Sequence, residues 1–222
     1  MDFETARHNM IEQQIRPWDV LDPLVLETLA SLQREDFVPP AYRALAFTDM
    51  EIPLTVGGVH SGEVLLAPKV EARLLQAAAP SGSDSVLEIG AGSGFMAALL
   101  ARTAQRVVSY EIRGELAQFA RSNISRAGLS NVRIEHGNGL DALQGGAKFN
   151  LIVLSGSVSF VPDSLLESLQ PGGRLVAIVG QLPVMTARLI TRATDSRYTE
   201  QILFDTVARS LHGFPQKESF VF

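Results

Sequence analysis

The chain has 222 residues, of which 46% are hydrophobic, and it carries a formal net charge of −5 at pH 7 and no cysteine. This length and composition favour a sizeable α/β domain with a full core and argue against a disordered chain. The lack of cysteine excludes disulfides, thiolate metal sites and a cysteine nucleophile. No run of basic residues is present, which argues against general binding to nucleic acid or to an anionic membrane.

We expect neither a secretion signal at the start of the sequence nor a membrane-spanning segment. Met1-Asp2-Phe3-Glu4 is not typical of a secretion signal, and no apolar run approaches the roughly 18 residues of a membrane span. We therefore expect a soluble cytoplasmic protein. The four histidines lack metal-ligand spacing, so we expect no metal site.

The first 67 residues predict a helical extension followed by a loop. Residues 3–15 have a helical pattern, and Asp22-Pro23 is typical of the N-cap and first position of a second helix. A short helix is expected over residues 41–47. Residues 48–67 are polar and rich in glycine, which predicts a long functional loop on the substrate side.

The rest of the chain, residues 68–222, alternates helices and strands and is expected to form the core of a single domain spanning residues 1–222. Such alternation implies right-handed crossovers and a parallel sheet. The last two strands are expected to form an antiparallel hairpin at the sheet edge. We therefore predict a doubly wound, mostly parallel, seven-stranded sheet. The predicted strands are 85–89, 106–111, 132–136, 149–154, 174–179, 184–191 and 201–207; the helices are 68–78, 94–103, 114–127 and 162–169, with a turn at 170–173.

The most informative stretch is a glycine-rich turn, Glu88-Ile89-Gly90-Ala91-Gly92-Ser93-Gly94-Phe95, between a buried strand and a helix. Its third glycine comes one residue earlier than in the dinucleotide fingerprint, which disfavours a nicotinamide dehydrogenase. About twenty residues after Gly90, Glu111 ends the next strand, where a doubly wound fold places the carboxylate that binds ribose hydroxyls. The pattern resembles the S-adenosylmethionine site of class I methyltransferases.

The whole chain resembles the protein-L-isoaspartate O-methyltransferase family, which methylates the side-chain carboxylate of isoaspartyl residues in aged proteins. The matching segments are residues 10–16, 34–39, 52–54, 86–95, 136–139 and 169–175. The resemblance implies S-adenosylmethionine as methyl donor, S-adenosylhomocysteine as product and a protein or peptide substrate. It also implies a set of cofactor-binding residues: Glu88, Gly90, Ala91, Gly92, Ser93, Gly94, Phe95, Glu111, Ile112, Gly137, Asn138 and Gly139.

The chain departs from the family pattern in two places, one at the cofactor site and one on the substrate side. Asn138 stands where the family has an aspartate beside the adenine, and its amide oxygen can still accept from the adenine amine. On the substrate side, the family's Gln-Thr-Ile-Ser before a proline is replaced by Glu63-Val64-Leu65-Leu66 before Ala67 and Pro68. Val64 and Leu66 thus replace the hydroxyls that hold the substrate carboxylate, and we expect an isoaspartyl peptide to be a poor substrate.

Two arrangements would still leave this site active. A slip in the loop alignment would bring His60 and Ser61 to the hydroxyl positions. Alternatively, the pocket is remade for a neutral or cationic acceptor, with Glu63 or His60 as the base.

Three functions stay open at this point. The first is a methyltransferase of isoaspartyl type. The second is a methyltransferase of the same fold with another acceptor, of which a small molecule is favoured over RNA by the acidic charge. The third is a cofactor-binding protein without turnover that acts through its N-terminal helices and an oligomer interface. A homodimer is compatible with each of them.

Overall fold

The computed structural model describes residues 2–194 and 196–216. In this part of the chain the strands form a two-stranded and a seven-stranded sheet. The strands are β1 Ile52–Val56, β2 Val59–Leu65, β3 Ser85–Ile89, β4 Arg106–Glu111, β5 Val132–His136, β6 Phe149–Val158, β7 Leu169–Gln181, β8 Val184–Arg192 and β9 Tyr198–Asp205. The α-helices are α1 Phe3–Met10, α2 Pro23–Ser31, α3 Pro68–Ala78, α4 Phe95–Ala101, α5 Gly114–Arg126 and α6 Asp163–Glu167.

The large sheet has the order β5-β4-β3-β6-β7-β8-β9. Its strands are parallel from β5 to β7, and β8 and β9 add an antiparallel hairpin at one edge. The predicted fold class is therefore confirmed. After β5 the chain crosses back to the other side of β3, which places the topological switch point between β3 and β6.

The predicted loop over residues 48–67 is wrong, because most of it is the antiparallel hairpin β1–β2. Ile52 and Leu54 alternate into the core and are fully buried. Gly57 and Gly58 make the two-residue connection with φ angles of +59° and +80°, values that glycine adopts without strain. The alternation followed by Gly-Gly is a hairpin pattern that the surrounding polar residues obscure.

Several further boundaries differ from prediction, of which three concern the type of structure. The predicted turn at 170–173 lies within β7, where several extra residues bulge out between the pairs Phe149–Leu169 and Leu151–Arg174. The first predicted helix is α-helical only to Met10 and continues as a wider π-helical turn over Ile11–Ile15. The short helix predicted over 41–47 is a 3-10 helix, Pro40–Leu45. Asp22 caps α2 as predicted, accepting from the Leu24 N–H at 2.8 Å.

The N-terminal extension is fixed to the core by a buried arginine. Arg34 pairs with Glu71 of α3, and the two side chains are 1% and 3% exposed. Its other nitrogens donate to the carbonyls of Ala46 (2.9 Å) and Leu66 (2.7 Å). Its guanidinium also lies 4.7 Å from the centre of the Phe95 ring. One side chain thus joins the extension, the end of the hairpin and the start of α4. Within the described residues, no helix has the length and apolar character needed to cross a bilayer.

Candidate functional site

The main cavity, about 620 Å³ including its open mouth, lies at the carboxyl ends of the parallel strands, beside the switch point. Its walls come from four strand ends and from two segments that cross over them. The lining residues are Glu63, Val64, Leu66, Ile89, Gly90, Gly92, Tyr110, Glu111, Ile112, Gly137, Gly139, Ser155, Gly156, Arg209, Ser210, Leu211 and His212. Six of the twelve predicted cofactor residues therefore line this one cavity: Gly90, Gly92, Glu111, Ile112, Gly137 and Gly139.

Two of the glycines are required by close contacts at this cavity. A Cβ on Gly139 would lie 2.4 Å from Cγ2 of Ile89, and Gly90 has a φ of +95°. Gly94, in contrast, is not among the residues that line this cavity. Its φ is +83°, and a Cβ there would lie 3.3 Å from Cβ of Ala120. The lack of a side chain at Gly94 thus allows the start of α4 to pack closely against α5.

Glu111 points its carboxylate back at the glycine-rich turn. Its two oxygens accept from the backbone N–H groups of Gly92 (2.8 Å) and Arg113 (2.9 Å). Burial raises the pKa of this carboxyl, and the two N–H donors oppose the shift. Each carboxylate oxygen keeps a free lone pair, so the group can accept further bonds from a ligand's hydroxyls. Ile112 beside it is 40% exposed and gives the cavity an apolar surface.

A smaller inner cavity of about 260 Å³ continues behind the turn and is lined by four more of the predicted residues, Glu88, Ala91, Ser93 and Phe95. The Ser93 hydroxyl is buried there without a hydrogen-bond partner in the described structure. The fully buried Glu88 carboxyl accepts from the hydroxyls of Ser109 and Ser155, each at 2.6 Å. Desolvation raises the pKa of Glu88 to about 7, and the neighbouring carboxyls of Glu71 and Glu111 add to the shift.

The substitution Glu88→Gln tests this buried charge. A raised carboxyl pKa means that the folded protein binds a proton more tightly than the unfolded chain, so wild-type stability falls as pH rises from about 4.5 to about 7. Glutamine removes that loss. We expect the free energy of unfolding of the variant, relative to wild type, to increase by about 2–3 kcal/mol between pH 5 and pH 8. Urea unfolding at both pH values measures it, and a pH-independent difference would contradict the assignment.

The hairpin side of the cavity places Val64 and Leu66 on its wall. His60 and Ser61 are not brought there. The Ser61 hydroxyl donates to the Leu54 carbonyl (2.6 Å), and His60 accepts from the Gly62 N–H (2.9 Å) through Nδ1. Both side chains serve the hairpin itself, and neither lines the cavities described in this section.

Glu63 reaches the cavity mouth as part of an ionic cluster. Its Oε1 lies 2.8 Å from Nη2 of Arg113 and 3.1 Å from Nε2 of His212. Arg113 also donates to the same oxygen through Nε at 2.9 Å. The cluster joins the hairpin, the start of α5 and the end of the described chain. The Glu63 charge is compensated by its neighbours, which weakens its predicted role as a base.

The C-terminal segment, residues 206–216, forms the opposite wall, and no sequence pattern pointed to it. Ser157 donates its N–H to the Arg209 carbonyl, and Leu211 donates to the Ser157 carbonyl, both at 2.8 Å. This short parallel bridge holds the segment beside the end of β6. The Leu211 side chain consequently sits against the turn, where a Cβ on Gly90 would lie 2.7 Å from its Cδ2.

Asn138 is held away from the main cavity by the same segment. Its Oδ1 accepts from the Leu140 N–H (3.1 Å), capping the 3-10 helix Gly139–Gly146. A Cβ on Gly213 would lie 2.8 Å from its Nδ2. Gly137 and Gly139 line the cavity on either side of Asn138, whose side chain does not.

An open groove of about 1350 Å³, including its mouth, adjoins the main cavity. The two spaces share Glu63, Arg209, Ser210 and His212. Arg209 and Ser210 are exposed, and their side chains have no hydrogen-bond partner among the described residues. Burial raises the pKa of Glu51, another groove residue, and the charge of Arg209 opposes that shift. A guanidinium and a hydroxyl that make no hydrogen bond to a described residue thus lie where the cavity meets the groove.

Comparison with known proteins identifies the family to which this chain is similar. The model of the protein-L-isoaspartate(D-aspartate) O-methyltransferase family matches residues 5–208. Protein-L-isoaspartate O-methyltransferase 1 of Rhodopseudomonas palustris (strain HaA2) is 36% identical over 202 residues, which are 90% of this chain and 80% of that protein. Protein-L-isoaspartate O-methyltransferase of Koribacter versatilis (strain Ellin345) is 34% identical over 203 residues, 91% of this chain and 89% of that protein.

Solved structures agree with the fold. A protein-L-isoaspartate O-methyltransferase structure aligns with a TM-score of 0.78 at 22% identity, over 93% of this chain and 66% of that one. A Plasmodium falciparum protein of the same name, in complex with S-adenosyl-L-homocysteine, aligns with a TM-score of 0.77 at 19% identity, over 95% of this chain and 98% of that one.

Proposed function

This chain belongs to the protein-L-isoaspartate(D-aspartate) O-methyltransferase family of S-adenosylmethionine-dependent methyltransferases, and we propose that it methylates an acceptor carboxylate held by Arg209 and Ser210. The proposal rests on one observation: the Arg209 guanidinium and the Ser210 hydroxyl, which make no hydrogen bond to any described residue, lie at the junction of the main cavity and the groove. The hairpin wall, with Val64 and Leu66, offers no side-chain donor of its own.

The residues at the main cavity fit the cofactor. Glu111 would accept from the ribose hydroxyls, and Ile112 would pack against the adenine. In the inner cavity, the unpartnered Ser93 hydroxyl and the Glu88 carboxyl would meet the charged amino-acid end. When bound, S-adenosylmethionine supplies a methyl group on a cationic sulfur; the acceptor oxygen forms the O–C bond as the C–S bond breaks and leaves its electron pair on sulfur.

A carboxylate acceptor makes few chemical demands on this chain. It is already ionised at neutral pH, so no residue need remove a proton from it. The chain must orient it and shield it from water, which are positioning tasks. Arg209 can bind both carboxylate oxygens, and Ser210 can donate to one of them. The lost family hydroxyls would then be replaced by donors from the C-terminal segment.

Isoaspartyl peptides are the acceptor that the relatives' names favour. The direct experiment is a labelled-methyl transfer assay with purified protein, S-adenosylmethionine and an isoaspartyl peptide, scored as base-labile methyl ester, with a cofactor titration alongside. Ester formation supports the proposal. Cofactor binding with label transferred only to base-stable positions, or to no acceptor carboxylate, would overturn it in favour of another acceptor or a protein without turnover.

Arg209→Ala should lower kcat/KM for the carboxylate acceptor by about 10- to 150-fold, because a hydrogen bond to a charged group contributes about 1.5–3 kcal/mol. The Kd for S-adenosylmethionine should stay within about twofold of wild type, because Arg209 is not assigned to the cofactor. Arg133→Ala, at a 77% exposed side chain on β5, is the matched control. Equal losses in both variants would remove Arg209 from the acceptor site.

A further inference from the structure

The groove has a charged end and an apolar end. Its charged end is the junction with the main cavity, where Arg209 stands beside the ionic cluster of Glu63, Arg113 and His212. Its apolar lining comes from the β7–β8 connection, the start of β8 and the chain shortly after β9: Leu182, Met185, Val207 and Ala208.

The β7–β8 turn and the chain after β9 position the apolar groove residues beside one another. Gln181 pairs with Val184 across the β7–β8 turn, which carries Leu182 at its tip. Thr206 donates its N–H to the Met185 carbonyl at 3.2 Å, which keeps Val207 beside the start of β8. Met185 is buried, whereas Leu182 is 74% and Val207 53% exposed. A bound apolar group would cover these last two side chains.

We propose that the acceptor is a peptide whose reactive carboxylate is flanked by a large apolar residue, with that residue lying against Leu182, Met185 and Val207. This inference rests on the proposed function, because it takes the carboxylate at Arg209 as its starting point. Charge complementarity places the acid at the Arg209 end, and continuity with the main cavity aims it at the cofactor. The groove is open to solvent and continues from the main cavity, so the residues on either side of the reactive one can extend along it, which favours a peptide.

The test compares two fluorescein-labelled isoaspartyl peptides that differ only in the residues on either side of the isoaspartyl, phenylalanine or serine. Binding is followed by fluorescence anisotropy with S-adenosylhomocysteine present. We expect the phenylalanine peptide to bind about tenfold more tightly, since a partly buried aromatic side chain contributes on that scale. Equal Kd values, or no binding of either peptide, would overturn the inference.

Variants at the exposed residues locate the preference. Leu182→Ser combined with Val207→Ser should bring the ratio of the two Kd values close to one. Ile202→Ser, which removes a 63% exposed side chain of β9 outside the groove lining, should leave the ratio unchanged. A preference that survives the double variant would place the apolar residue elsewhere.

Two further measurements separate this inference from the proposed function. Methyl ester formation is scored with S-adenosylmethionine on the same peptides. Selective binding without ester would overturn the carboxylate as acceptor and keep the groove's preference. If 3-phenylpropionate, a small acid with an apolar ring, competes as strongly as the phenylalanine peptide, the occupant is a small molecule and the peptide is excluded.

Discussion

Replacing Arg34 with alanine is expected to lower the free energy of unfolding by about 3–5 kcal/mol, the usual cost of removing one partner from a buried ion pair. The Arg34 and Glu71 side chains are 1% and 3% exposed, so water cannot replace the lost partner. The carbonyls of Ala46 and Leu66 lose their donor as well. Urea unfolding followed by circular dichroism measures the loss.

Arg16→Ala is the matched control, because it breaks an ion pair with Glu12 whose side chains are 44% and 41% exposed. Its expected cost is below about 1 kcal/mol. A loss of similar size in both variants would mean that the Arg34 pair contributes no more than a surface pair.

The pH dependence of the Arg34→Ala loss identifies its cause. Desolvation raises the pKa of Glu71 to about 7, and the guanidinium of Arg34 opposes that shift. Without the guanidinium the folded-state pKa rises further, so the folded variant holds a proton that the unfolded chain releases above about 4.5. The loss of stability should therefore be larger at pH 8 than at pH 5. A loss that is equal at both pH values would point to packing and the two carbonyls instead.

The alternation of strands and helices made the central sheet predictable. Three strands, 85–89, 106–111 and 132–136, have the predicted bounds, although only the first of them is buried throughout. The hairpin β1–β2 was missed because polar residues line its open side. In β1 the alternating burial of Ile52 and Leu54 is the sign of a strand.

The sequence predicted the site residues that belong to one short motif and missed those that come from distant parts of the chain. The glycine turn and Glu111 lie near each other in sequence and at adjacent strand ends, so one motif predicts both. Arg209 and His212 come from beyond the last strand, about 100 residues after that motif. Their position depends on the bridge between Ser157 and Ser210, which only the folded chain reveals.

Glu111→Ala is expected to raise the Kd for S-adenosylmethionine by at least about 100-fold. Two hydrogen bonds from ribose hydroxyls to a carboxylate contribute roughly 1.5–3 kcal/mol each. The substitution also frees the N–H groups of Gly92 and Arg113 from their partner, which loosens the turn itself. Isothermal titration calorimetry with S-adenosylmethionine and with S-adenosylhomocysteine measures the change.

Two controls separate ribose binding from a damaged turn. Glu115→Ala removes the same charge from an exposed position in the first turn of α5 and should bind the cofactor normally. Methionine tests the turn alone, because it carries the amino-acid end of the cofactor and no ribose. If Glu111 acts on the ribose, affinity for methionine should change little while affinity for the whole cofactor collapses. An unchanged Kd for S-adenosylmethionine would refute the ribose assignment, and equal losses for both ligands would assign Glu111 to the shape of the turn.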